Sequence, residues 1–117
     1  MVILFMETII LDFINEFKSS HSKEIEDLFM NGYCYYFAII LKERFDSIGT
    51  IMYIPIYNHF CYMINKSLYD ITGKITDEEK INLAEPWDKY KDNDYLESYR
   101  IIKDCIMKNS ASLSVEV

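Results

Sequence analysis

His59-Phe-Cys-Tyr-Met-Ile-Asn-Lys-Ser-Leu-Tyr-Asp-Ile-Thr-Gly73 is the stretch that decides the fold of this chain. Two short apolar runs, His59–Ile64 and Ser67–Thr72, are rich in aromatic and β-branched residues and flank the polar pair Asn65-Lys66. That pattern reads as an antiparallel hairpin. A two-residue loop sets Ile64 opposite Ser67, Cys61 opposite Asp70 and His59 opposite Thr72. His59 and Asp70 then become diagonal neighbours on one face of the sheet, within side-chain reach. A slip of one residue would place them on opposite faces, so the site depends on the register.

Upstream, Ile51–Tyr57 is β-rich, but Pro55 lacks a ladder donor, which points to an edge strand or a bulge. Ser47-Ile-Gly49 reads as the turn before it. Residues 5–18 carry Phe5, Ile9, Phe13 and Phe17 at i, i+4 spacing, the mark of an amphipathic helix. Ser19-Ser-His-Ser22 ends that helix. A short second helix, Lys23–Met30, buries Ile25, Leu28 and Phe29. Asn31-Gly32 breaks the pattern, since both residue types tolerate positive φ. A third helix runs from Tyr33 to Phe45 with Phe37, Ala38, Leu41 and Phe45 inward.

Downstream, Thr76-Asp-Glu-Glu79 has the form of a capping box and starts a helix through Leu83. Pro86-Trp87 opens an irregular aromatic and charged stretch to Asn93, and Asp94 with Glu97 starts a last helix, Tyr95–Met107. A single Trp in such a stretch is more often a lid packed on the core than a recognition residue. The expected architecture is α+β: helices on one face of a small three-stranded antiparallel sheet. Residues 1–108 form one domain in this reading, and 109–117 are a polar tail.

The composition bounds the function. At 117 residues, 50% hydrophobic and 15% aromatic, the chain can bury a core without disulfides or metal. Its net charge of −7, from 19 acidic and 12 basic residues, argues against a nucleic-acid surface. Acidity permits binding to a basic partner, although charge also simply keeps a protein in solution. The segment from Thr76 to Glu97 is rich in acids. Glu85, Asp88 and Asp92 lie outside the helix-start positions and form the expected partner-facing set. Three Cys make no disulfide framework; reduced thiols and a cytoplasmic location are the expectation. Met1-Val-Ile-Leu-Phe-Met6 is apolar, but no basic segment precedes it and Glu7 follows at once, so neither a signal peptide nor a membrane span is expected. No Cys or His spacing suits a metal, glycines are too few for a phosphate-cradling loop, and no cofactor is expected.

Three residues carry the chemistry. Cys34 falls where the Gly32 turn runs into a helix, and a helix N-terminus favours a thiolate and offers N–H groups to an oxyanion. His59 opens a strand and suits a general base. Asp70 on the next strand can fix its tautomer, with Thr72 as an alternative orienter. Asn31, Gly32 and Asn58 are the polar or permissive residues beside them. A thiol at a helix start followed by His and Asp on adjacent strands is the papain-type order of nucleophile, base and orienter. Each residue alone has a plain structural reading: a buried thiol packed like a small hydrophobe, a histidine at a strand end, an aspartate at a turn. His21, the other histidine, belongs to an exposed polar turn.

Asn31-Gly-Tyr-Cys-Tyr-Tyr-Phe-Ala38, Asn58-His-Phe60 and Leu68-Tyr-Asp-Ile-Thr-Gly73 together resemble a group of small bacterial and bacteriophage proteins. Those proteins carry a Gly-x-Cys-x-x-Phe-Ala helix, a Gly-His strand start and a Tyr-Asp-Ile-x-Gly strand. They resemble a pared-down papain-like fold of the cell-wall peptidase and amidase type. The resemblance spans about residues 28–75 and implies Cys34 as nucleophile, His59 as base and Asp70 as orienter. This chain departs from the pattern at Asn58, where the group usually has Gly.

Two readings stay open on the sequence. One is a cysteine hydrolase or acyl-transferase acting on an amide, thioester or isopeptide-type bond of an acylated or peptidic substrate. The other is a non-catalytic acidic protein that binds a protein partner, for example a phage-encoded, anti-CRISPR-like inhibitor of a bacterial defence. The deciding observation is whether Cys34, His59 and Asp70 form a connected line that solvent reaches. If the thiol is sealed by Tyr33, Tyr36 or Trp87, the second reading wins.

Overall fold

A computed structural model describes residues 2–45 and 48–88. Helix α1 spans Val2–Ser19, α2 Glu24–Met30 and α3 Cys34–Arg44. Strands β1 (Thr50–Ile54), β2 (His59–Ile64), β3 (Ser67–Asp70) and β4 (Gly73–Lys74) follow, then α4 (Glu78–Leu83) and β5 (Glu85–Pro86). The strands form one antiparallel sheet in the order β4-β3-β2-β1-β5. The class is α+β as expected, but the sheet has five strands and not three. Both additional strands are two residues long, too short for any periodicity to register.

The hairpin register is the expected one: Ile64 pairs with Ser67, Met63 with Leu68 and Tyr62 with Tyr69. Asn65 (φ 51°) and Lys66 (φ 68°) both take the left-handed conformation that a two-residue hairpin turn of this kind requires. Strand β3 stops at Asp70, two residues before the expected end, because the chain turns through Ile71-Thr72 into β4. Strand β1 ends at Ile54, where Pro55 starts a 3₁₀ turn to Tyr57. The helix-start box at residues 76–79 is shifted by one: Asp77 is the N-cap, and its carboxylate accepts from the Glu79 and Lys80 amides. Glu85-Pro86, read as irregular, pairs with β1 at Tyr53 and Met52.

Alternation along the strands divides the core. Tyr62, Ile64 and Tyr69 pack with Ile10 and Ile14 of α1 and with Phe37, Leu41 and Phe45 in and beside α3. On the other face, Met52, Ile54, Cys61 and Leu68 pack with Ile75 and with Leu83 and Ala84 at the end of α4. The helices therefore do not all sit on one face. Gly49 enters β1 so close to β2 that a Cβ would lie 2.2 Å from the Met63 carbonyl oxygen, and its N–H donates to the Tyr62 hydroxyl at 2.8 Å. This holds α3, the Gly49 turn and the hairpin in one fixed arrangement. The expected helix Tyr95–Met107 and the tail lie outside the described residues. No described helix is long and apolar enough to cross a membrane.

Candidate active site

The site forms where β2 and β3 part. In the observed register Ile64–Ser67 and Tyr62–Tyr69 are the hydrogen-bonded pairs, so the next such pair would be Phe60 with Ile71. The ladder stops before it. The Phe60 N–H donates instead to the Sγ of Cys34 at 3.4 Å. Cys34 is the first residue of α3, and its thiol takes up a ladder bond that β3 no longer supplies.

His59 and Asp70 lie beside this opening. His59 Nε2 is 2.8 Å from Asp70 Oδ2. Cys34 lies near enough to His59 that its side chain helps to raise the ring's pKa, and the amide of the next residue, Phe60, bonds its Sγ. Asp70 Oδ1 is held in turn by the Thr72 N–H at 2.8 Å and by the Thr72 hydroxyl. The aspartate thus closes the β3–β4 turn with one oxygen and orients the histidine with the other. Thr72 positions Asp70 and does not orient the ring directly, which corrects the alternative raised above. The three expected residues come together: His59 bonds Asp70, and Cys34 sits beside them, bonded to the amide that follows His59.

Electrostatics favour a charged pair. Burial disfavours the imidazolium, but the bonds to Asp70 and Cys34 and their negative charge outweigh it and raise His59 to about 9. Burial alone would raise the Asp70 carboxyl; the bonds from His59 and Thr72 hold it below the ordinary carboxylate range. The thiol of Cys61, two residues along β2, is pushed up by burial and by the charge of Asp70. Cys61 therefore stays a neutral packing residue while His59 carries its proton through neutral pH.

The three residues are together but covered. Cys34 is 2% exposed, and His59 and Asp70 are each 5% exposed. Cys34 packs in an aromatic cluster with Ala38, Tyr53, Phe60 and Trp87, flanked by Tyr35. The Trp87 ring, 3% exposed, sits 4.8 Å from Phe60 and 5.5 Å from Tyr53, centroid to centroid. The backbone N–H of Trp87 donates to the Ile51 carbonyl at 2.9 Å, extending the β5 contact with β1. Trp87 is a lid on the core, as its position suggested.

The remaining expected residues separate. Asn58 takes φ 46°, the conformation in which Gly is cheapest and Asn is tolerated, and its Oδ1 accepts from the Tyr53 hydroxyl at 2.8 Å. It braces the aromatic cover. Gly32 is buried at φ 141° and lets the chain turn between α2 and α3. Asn31 is exposed and bonds Asp27 at the end of α2, away from the site. Of the acidic set, Glu85 is half-buried on β5, Asp88 is exposed, and Asp92 lies outside the described residues. His21 is exposed and stacks on Phe17. Tyr53 and the Phe60 amide were not foreseen; the hairpin register carried the signal for Phe60, since it aims that amide at β3. Among the described residues, no cluster of His, Cys, Asp and Glu is placed to hold a metal.

A family model described as phage YunG-like protein matches residues 10–103, and the chain belongs to that family. No curated protein and no solved structure matches the chain significantly.

Proposed function

We propose that this phage YunG-like chain is a thiol-dependent acyl-transfer enzyme, a small cysteine hydrolase with a papain-like core, in which Cys34 is the nucleophile, His59 the general acid and base, and Asp70 the orienter. The observation that carries the reading is the His59 ring, bonded to Asp70 Oδ2 at 2.8 Å beside Cys34, whose Sγ accepts from the neighbouring Phe60 amide. The order of elements supports it: thiol at a helix start, then base and carboxylate on paired strands.

In this mechanism the working pair is the Cys34 thiolate with protonated His59. The thiolate adds to the carbonyl carbon of an amide or thioester, and the N-terminal N–H groups of α3 face the developing oxyanion. His59 gives its proton to the departing amine or thiol as the C–N or C–S bond breaks, leaving an acyl-thioester on Cys34. Water then attacks that thioester, His59 takes its proton, and the acid leaves as the thiolate re-forms. Asp70, fixed by Thr72, keeps the ring aimed throughout.

A second reading rests on the 2% exposure of Cys34 under the Trp87 cluster, the sealed arrangement expected of a binding protein, so the enzymatic reading requires this cover to open. In it the polar line is structural, and the acids near Glu85 and Asp88 meet a basic partner, as an anti-defence inhibitor would. An acyl-trapping experiment separates the two. Incubation with a panel of peptide thioesters, followed by mass spectrometry of the quenched protein, is expected to show an acyl adduct on Cys34. Cys34→Ser is expected to remove it, and charge reversal at Glu85 and Asp88 to leave it. No adduct with any thioester, together with a biological effect that survives Cys34→Ser and is lost on charge reversal, overturns the enzymatic reading.

A further inference from the structure

One hollow opens beside the covered thiol. It lies between α3 and β1, walled by Tyr35, Ile39, Ile51 and Trp87, with Lys42 and Asp88 bringing charge to its rim. Trp87 and Tyr35 are shared: the same rings pack around Cys34 and line this cavity. Its volume is about 120 Å³, somewhat below the roughly 150 Å³ cavity that admits benzene. That is room for one side chain, not for a drug-sized ligand of about 300 Å³ or more.

Position ties the hollow to the thiol. Ile39 is five residues along α3 from Cys34, about 7.5 Å of helical rise, and Lys42 is about 12 Å away by the same measure. An extended peptide covers about 3.3–3.6 Å per residue. A peptide whose carbonyl lies at Cys34 and that runs along α3 would bring a residue two or three positions away level with Ile39 and Lys42.

Charge tells what that residue carries. Lys42 is half-buried, and no carboxylate among the described residues lies within ion-pair distance of it; Asp88, on the same rim, is exposed. The Lys42 ammonium is therefore available to an incoming anion, with Asp88 in the same lining to disfavour a second negative charge.

We propose that this cavity is a specificity subsite for a chain-terminal apolar residue, whose side chain enters between Ile39, Ile51 and Trp87 and whose free carboxylate meets Lys42. The substrate class is then a short peptide or acylated amino acid ending in an unblocked carboxylate. The assignment rests on the acyl-transfer reading of Cys34, but its binding step does not require turnover.

The test uses the full-length Cys34→Ala protein, which cannot acylate, with N-acetyl-leucine and N-acetyl-leucinamide as probes. Amide NMR shifts at Ile39, Gly49 and Ile51 report occupancy of the hollow. The acid is expected to bind about tenfold or more tighter than the amide, the usual order for a hydrogen bond to a charged group. Lys42→Ala is expected to abolish the preference and Lys42→Arg to keep it. Ile39→Phe, which fills the hollow, is expected to stop both probes from binding while the rest of the amide spectrum stays folded. Equal binding of acid and amide, shifts confined to residues away from the hollow, or a preference that survives Lys42→Ala would overturn the subsite. Because these results come from a protein without the thiol, failure of the catalytic reading leaves them standing, and their failure leaves the thiol chemistry untouched.

Discussion

The two ends of the β2–β3 hairpin are built on opposite principles. At the Asn65-Lys66 end the ladder is continuous, and Ile64–Ser67 and Tyr62–Tyr69 satisfy each other's backbone groups. At the His59–Asp70 end the strands part, and side chains take over: Cys34 Sγ accepts from the Phe60 N–H, Asp70 accepts from the Thr72 N–H, and His59 pairs with Asp70. A buried opening in a sheet would ordinarily leave polar groups unpaired at a cost of roughly 1–3 kcal/mol each. Here no buried side-chain nitrogen or oxygen among the described residues lacks a partner. The groups that close the opening are also those an acyl transfer needs, so structural and chemical roles fall on the same atoms.

The sharpest way to break this contrast is to remove Asp70. Asp70→Ala leaves the His59 ring buried without its carboxylate, and the expected loss is about 3–5 kcal/mol in a denaturant melt. A loss under about 1 kcal/mol would mean that the open end does not depend on its side chains.

The pH dependence of stability comes next. His59 is raised from 6.5 to about 9 in the folded protein. Its contribution is therefore fully present below pH 6.5 and is lost as pH rises through about 9. Asp70 is lowered, so its contribution is present above the ordinary carboxylate pKa and fades as pH falls through the depressed value. Urea midpoints are expected to fall between pH 6.5 and 9 in the wild type and to stay flat over that window in His59→Gln.

Smaller changes sharpen the picture. Thr72→Val removes one hydroxyl bond to Asp70 and is expected to cost about 1 kcal/mol. It should also slow thiol labelling, because Asp70 loses part of its hold. Lys66→Gly at the closed end, where Lys66 sits at φ 68°, is expected to stabilise by a few tenths to about 1 kcal/mol and leave thiol reactivity unchanged. Changed reactivity in that variant would show that the two ends are coupled.

The hairpin, its register and the meeting of His59 with Asp70 were legible because alternation and a two-residue turn fix which side chains share a face. The start of α3 at Cys34 was legible from Gly32 and the Phe37–Leu41 stripe. Strands β4 and β5 were not, since two-residue strands carry no pattern and exist only where a neighbour offers an edge. Nor was the early end of β3, because Ile71-Thr72 continues the β-rich composition and only the Asp70–Thr72 bond reveals the turn. The aromatic cover was half visible: Trp87 stood out as a lid, whereas its partners Tyr53 and Phe60 come from strands whose facing depends on tertiary pairing. Asn31 misled because a helix-ending Asn and a site Asn look alike in sequence.

The central claim is that Cys34 and His59 act as one chemical pair, and the pH profile of Cys34 alkylation tests it most directly. Iodoacetamide labelling, quantified by mass spectrometry at Cys34 and Cys61, is to be run from pH 5 to 10 on the wild type and on His59→Ala. The aromatic cover slows labelling of Cys34 at every pH. The account predicts, as the mark of the pair, a Cys34 rate that has already levelled off at pH 6–7, below the ordinary thiol pKa of about 8.5. It predicts slow labelling of Cys61 across the range, and in His59→Ala a Cys34 rate that rises only above about pH 8. Identical profiles for Cys34 in the two proteins would contradict it.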